Sequence, residues 1–147
     1  MKRIAAILLV IIAVTGILVV NLYGMNIESA FEKTVPVEYI ELYYPGATRR
    51  YPDEPTKTDM RVSIEYEEDL EFIIEWQVFP ANATYRNLGF AIQGGGETED
   101  GQPIVEIDRM GRVSVKEPTL MFTISAETLE GKKIYTTMRV MLSGILF

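Results

Sequence analysis

An all-β antiparallel sandwich behind one N-terminal transmembrane helix is the fold this sequence predicts, and three observations predict it. An uncharged apolar run extends from Ile4 to Val20. Beyond residue 35, apolar and polar residues alternate with a period of two in several short stretches, the signature of strands with one wet face. Clusters of turn-forming residues separate those stretches, and no sustained helical period interrupts them.

The first element is "MKRIAAILLVIIAVTGILVVNLYG", residues 1–24. At roughly 1.5 Å per helical residue, about 20 residues match a hydrocarbon core of roughly 30 Å. Its β-branched residues disfavour helix in water, but in lipid the backbone has only itself to bond, so helix is expected. Lys2 and Arg3 place the N-terminus on the cytoplasmic side of a cell membrane and send the rest across as a single-pass, extracytoplasmic unit. A cleaved leader is the alternative. Its cleavage motifs are poor: Val14-Thr15-Gly16 lies inside the apolar run, and Leu22-Tyr23-Gly24 and Glu28-Ser29-Ala30 match weakly. An uncleaved signal-anchor is therefore expected, followed by a polar linker at 25–34 and a sandwich over 35–147.

Within the sandwich, Val37 to Leu42 ("VEYIEL") reads as the first strand. Met60, Val62, Ile64 and Tyr66 alternate with Arg61, Ser63, Glu65 and Glu67. Leu70, Phe72, Ile74, Trp76 and Val78 repeat that pattern as one strand. Leu120, Phe122, Ile124 and Ala126 follow later, and Ile134, Thr136, Met138, Val140 and Leu142 close the series. Six or seven antiparallel strands are expected, joined by "GGGETEDGQP", "RMGR" and "LEGKK".

Charge and composition exclude several functions. Two of the 14 basic residues precede Glu28, leaving 12 against 21 acidic ones, a net of −9 for the downstream part. Such a surface repels phosphate backbones, so no nucleic-acid partner is expected. The chain has no cysteine and no histidine. Disulfides, thiolate metal sites and cysteine or Ser–His–Asp nucleophiles are thereby ruled out. The commonest general base near neutral pH is missing as well.

The ordered pieces "VFPANAT", "IDRMGRV" and "ISAETLEGK" carry a resemblance. Together they resemble a bacterial immunoglobulin-like domain of the group 2 type, the module of intimin- and invasin-like surface proteins. That family's pattern is a strand ending V-x-P-x-x-A-T, a strand with an aromatic residue, a V-D-x-x-G-x-V hairpin and an I-T-A-x-T-x-D-G-K hairpin. Pro80, Asn82, Ala83 and Thr84 match the first piece, and Phe90 stands where the family has tryptophan. Asp108, Gly111 and Val113 match the first hairpin, and Gly131 the second. The resemblance spans roughly residues 35 to 143. It departs at Pro45–Tyr66, which is longer and more acidic, and at the inserted Gly94–Pro103 loop. It implies an immunoglobulin-like sandwich and structural roles for these residues.

Pro80 is expected to end a strand, because it lacks a ladder N–H and fixes φ. Asn82 and Thr84 are expected to bond local backbone groups while Ala83 tucks inward. Asn82-Ala83-Thr84 also satisfies the acceptor pattern for N-glycosylation.

No catalytic, cofactor or metal site emerges. Glu65–Glu71 offers hard oxygen ligands for calcium but lacks an Asp-x-Asp-x-Asp-Gly loop. Gly94–Gly96 lacks the Lys-Ser/Thr of a phosphate loop and reads as a flexible strand connection. Glu97 and Glu99 are a carboxylate pair without a cleft. Trp76 is expected in the core, where its loss costs about 3–5 kcal/mol. Ser143–Phe147 is expected to finish against the core. Tyr43, Tyr44 and Tyr51 are the candidate partner contacts. The expected work is non-catalytic binding or scaffolding in a bacterial envelope, with a protein partner or a second copy as ligand. Carbohydrate binding or adhesion, with a glycan as ligand, is the alternative.

Overall fold

The computed structural model describes residues 33–145. The expected anchor at 1–24, nearly all of the linker, and Leu146 and Phe147 lie outside the described residues. The described unit is all-β and contains no helix.

Ten strands follow in order. They are β1 (Tyr39–Tyr43), β2 (Thr48–Arg49), β3 (Met60–Glu65), β4 (Leu70–Ile73), β5 (Glu75–Phe79), β6 (Leu88–Gly94), β7 (Val105–Ile107), β8 (Arg112–Val115), β9 (Met121–Thr128) and β10 (Tyr135–Ser143). They form a five-stranded sheet in the order β2-β3-β10-β9-β6, a three-stranded sheet β4-β8-β7 and a β1-β5 pair. Phe122, Ile124, Val140, Val62 and Met138 from the large sheet share one buried cluster with Ile40, Leu42, Phe72, Val78, Val113 and Val115 from the other two. Sheets that bury alternate side chains against a common core have the arrangement of a sandwich.

The alternation in the sequence translates directly into burial. In β9 and β10 every second residue is buried, and on that face Phe122 lies beside Val140, Ile124 beside Met138 and Ala126 beside Thr136. Two buried threonines keep this face free of unpaired hydroxyls. Thr128 Oγ1 donates to the Lys132 carbonyl at 2.7 Å and accepts from the Ile134 N–H at 3.0 Å, closing the β9–β10 turn. Thr58 and Thr136 bond each other at 2.8 Å.

Four expectations are corrected. The stretch Leu70–Val78 is two strands, broken at Ile74, whose N–H bonds the Gly111 carbonyl at 2.9 Å. Its first half pairs with β8 and its second with β1. Phe72, Ile74 and Val78 stay buried through the break, which explains the uninterrupted pattern. Second, one pairing is parallel: β10 runs beside β3 with Val140 opposite Val62. Third, the Gly94–Pro103 loop is more than a bare connection and carries backbone bonds of its own. Thr98 and Gln102 are joined backbone to backbone at 2.7 Å, and Ile104 N–H reaches the Gly96 carbonyl at 3.1 Å. Fourth, Leu120 is 63 % exposed, because β9 begins only at the following residue. At the other end Ile145 packs partly against the core.

Candidate functional site

The opening turn of the family-like pattern holds the chain's ends of strands together. β5 stops at Phe79, and the Phe79–Pro80 bond is cis. Ala83 N–H closes the turn on the Pro80 carbonyl at 2.9 Å, and the Ala83 methyl is buried. Asn82 is exposed. Thr84 differs from the local role expected of it. Its hydroxyl accepts from the Val35 N–H at 2.7 Å, and its own N–H donates to the Val35 carbonyl at 2.9 Å. This reciprocal pair fastens the chain just before β1. Thr84→Val should cost about 1–2 kcal/mol, and limited proteolysis should then cleave faster after Lys33. An unchanged cleavage rate would show that Val35 is held by other contacts.

The Asp108–Gly111 turn is built more tightly. Asp108 Oδ1 accepts from the Met110 N–H at 2.8 Å and the Arg112 N–H at 2.9 Å. Gly111 is buried at φ +76°, and a Cβ placed there would lie 2.5 Å from the Ile74 carbonyl oxygen and 2.9 Å from the Trp76 ring. Only glycine fits both the left-handed backbone and that approach. Val113, next on β8, is fully buried.

These turns shape two adjoining recesses between β6 and β7. The first, about 420 Å³, is lined by Phe90, Ile92, Val105 and Arg112 among others. The second, about 700 Å³, is lined by Trp76, Leu88, Leu129, Arg86 and Arg109 among others. Phe90, Ile107 and Asp108 belong to both. Trp76 meets Phe90 edge to face at 4.9 Å, forming an aromatic floor. Of the residues singled out in the sequence, Phe90 and Asp108 line this cleft and Gly111 packs against its tryptophan. Gly131 stands apart, beside Tyr85 in the β9–β10 turn. Arg86, Leu88, Arg109 and Leu129 were not singled out. They come from three loops and one strand, and no spacing in the chain announces their meeting.

The three candidate tyrosines do not form one surface. Tyr44 packs on the core, edge to face with Phe72 at 5.3 Å. Tyr51 lies in the β2–β3 loop, with Lys57 Nζ 4.6 Å and the Arg50 guanidinium 5.3 Å from its ring centre. Tyr43 is 39 % exposed and shares an outer recess with Tyr44, Pro45 and the exposed Ile73. Nearby on β1, Tyr39 stacks on Phe79 at 4.6 Å.

Tyr43 is also a titration marker. Its hydroxyl donates to Glu41 Oε2, and Arg49 holds Glu41 Oε1 at 2.7 Å. Burial of the phenol, that hydrogen bond and the carboxylate's charge push its pKa up from 10.0 to about 12. The folded state favours the protonated phenol. Its stabilisation is complete below pH 10 and is lost as pH rises towards 12. Spectrophotometric titration should show a late tyrosine step that Tyr43→Phe removes. A late step surviving that change would place the raised group elsewhere.

The acidic stretch Glu65–Glu71 spans the end of β3 and a turn in which Asp69 takes φ 57°. Among the described residues no three carboxylates gather as a metal-holding group.

A scan against protein-family models found no match to this chain, and a search of curated proteins found no significant relative. Its class is therefore defined by fold and cleft alone. It is an all-β unit of stacked sheets with a preformed, arginine-lipped cleft beside an open strand edge.

Proposed function

We propose that the chain is a non-catalytic binding or scaffolding module of a bacterial envelope, held at the membrane by its N-terminal segment, with an immunoglobulin-like sandwich on the extracytoplasmic side. The strand order carries this reading. Taking β5 and β4 as two halves of one strand, β1, β5/β4, β8 and β7 follow the A-B-E-D order of immunoglobulin sheets, while β6, β9 and β10 follow C-F-G. The positions of Pro80, Ala83, Asp108 and Gly111 at the turns agree with the group 2 pattern. The apolar run at Ile4–Val20, with Lys2 and Arg3 before it, supports the anchor and its orientation. Anchoring confines encounters to the membrane plane and raises the effective concentration of a partner held there.

A glycan-binding or adhesion role is the second reading, favoured by the outward aromatic strip of Tyr39, Phe79 and Tyr43. Crosslinking of native membranes followed by affinity recovery of the chain separates the two. The first reading expects a discrete protein partner or a second copy. Recovery of no protein, together with strong binding to purified envelope polysaccharide, would replace it with the second.

A further inference from the structure

β6 is the longest strand with a single hydrogen-bonded neighbour. Exposed edges are usually blunted by charge, proline or shortness. β2, at the opposite edge of the same sheet, has two residues, one of them Arg49. β7 has three, and its Glu106 is bonded to Lys116 at 2.9 Å. β6 reads "LGFAIQG", with neither charge nor proline.

Its free edge is also oriented for pairing. Leu129 N–H donates to the Asn87 carbonyl at 3.1 Å. Bonded and non-bonded pairs alternate along an antiparallel ladder. Gly89, Ala91 and Gln93 therefore bond β9, and the backbone groups of Leu88, Phe90 and Ile92 turn away from it. On the far side of the cleft, Asp108 N–H bonds the Arg112 carbonyl at 3.0 Å, so the same alternation turns the Ile107 backbone away from β8. The Ile104–Gly96 bond closes the Gly94 end, leaving the Leu88 end open.

Charge selects what can enter. Arg86 and Arg109 line the larger recess and Arg112 the smaller. Among the described residues none of the three is in an ion pair. The acids beside them are already engaged, Asp108 by two backbone N–H groups and Glu106 by Lys116. The larger recess thus sets two arginines against the single carboxylate of Asp108, a local positive balance on a strongly acidic chain. Both recesses fall within the roughly 300–1,000 Å³ typical of ligand sites.

We propose that the β6 edge accepts an acidic, extended polypeptide segment of a partner protein. The segment adds as a strand along Leu88–Ile92, seats an apolar side chain on Trp76 and Phe90, and sets its carboxylates against Arg86 and Arg109. This rests on the binding-module reading and names its site and the chemistry of its partner. Backbone donors and acceptors along the edge select a polypeptide over an acidic glycan.

The test titrates the full chain in detergent micelles with a synthetic octapeptide of alternating glutamate and valine. A lysine–valine counterpart and oligogalacturonate are titrated in parallel. The acidic peptide should bind, the lysine peptide should not, and Arg86→Glu with Arg109→Glu should weaken binding roughly tenfold or more. Both arginines are exposed, so the double variant should keep its thermal transition. Amide exchange should slow at Leu88, Phe90 and Ile92. Acidic-peptide binding that ignores the charge reversal, or that leaves those amides unprotected, would overturn the assignment. Oligogalacturonate binding without peptide binding would overturn it in favour of a glycan. No peptide binding, with a protein still recovered from crosslinked membranes, removes this site and leaves the module reading intact. Failure of both removes both.

Discussion

Replacing Gly111 with alanine should destabilise the fold by about 3–5 kcal/mol, the upper range for a point substitution. Two costs combine there. A non-glycine residue at φ +76° costs about 1–2 kcal/mol in the left-handed region. The new methyl would also lie 2.5 Å from the Ile74 carbonyl oxygen, a backbone atom that cannot swing aside. Moving it disturbs the Ile74 N–H bond to Gly111 at the point where β4 gives way to β5. Gly46 is the control: it has φ +81° and nothing within 4 Å of an added Cβ. Gly46→Ala should show the backbone cost alone. Unfolding followed by fluorescence of the single tryptophan measures both. Equal losses would mean that the Ile74 contact is relieved at little cost.

Phe122→Ala should be comparably severe, at about 3–5 kcal/mol. Phe122 is 2 % exposed and its ring lies 6.5 Å from that of Phe72 across the core. A cavity there opens between two sheets whose backbones are fixed by their ladders, so collapse cannot fill it. Trp76→Ala should cost less, about 1.5–3 kcal/mol, since the indole is only partly buried at the cleft. Trp76 packs against the core as expected but is only partly buried, which lowers the cost of its loss. Midpoints of denaturant unfolding for both variants decide the ranking, and a larger loss at Trp76 would reverse the assignment of core and cleft.

Much of the fold was legible because side-chain period reports burial directly. Phe122, Ile124 and Ala126, and Met138, Val140 and Leu142, are buried as their alternation requires. The same property hid the break at Ile74. A strand that passes from one partner to another without changing face leaves the alternation untouched, and only the Gly111 contact reveals the switch. The parallel β3–β10 pair was equally silent, since a period of two carries no strand direction. Thr84 was read as a local turn former because threonine often is one, yet its partner is Val35, far back in the chain. Trp76 and Phe90 were each visible as aromatics. Their meeting with Arg86 and Arg109 depends on how β5, β6 and the β7–β8 turn converge. One trace of the edge does exist in the sequence, as "LGFAIQG" is a strand-length run with neither charge nor proline to blunt it.

Site-specific photo-crosslinking in native cells tests binding at this edge most directly. A photoreactive residue is placed at Asn87, in the cleft, or at Tyr43, on the outer aromatic strip. The Asn87 position should yield a discrete protein adduct that Arg86→Glu with Arg109→Glu abolishes. Adducts arising only at Tyr43, or none at Asn87, would contradict it.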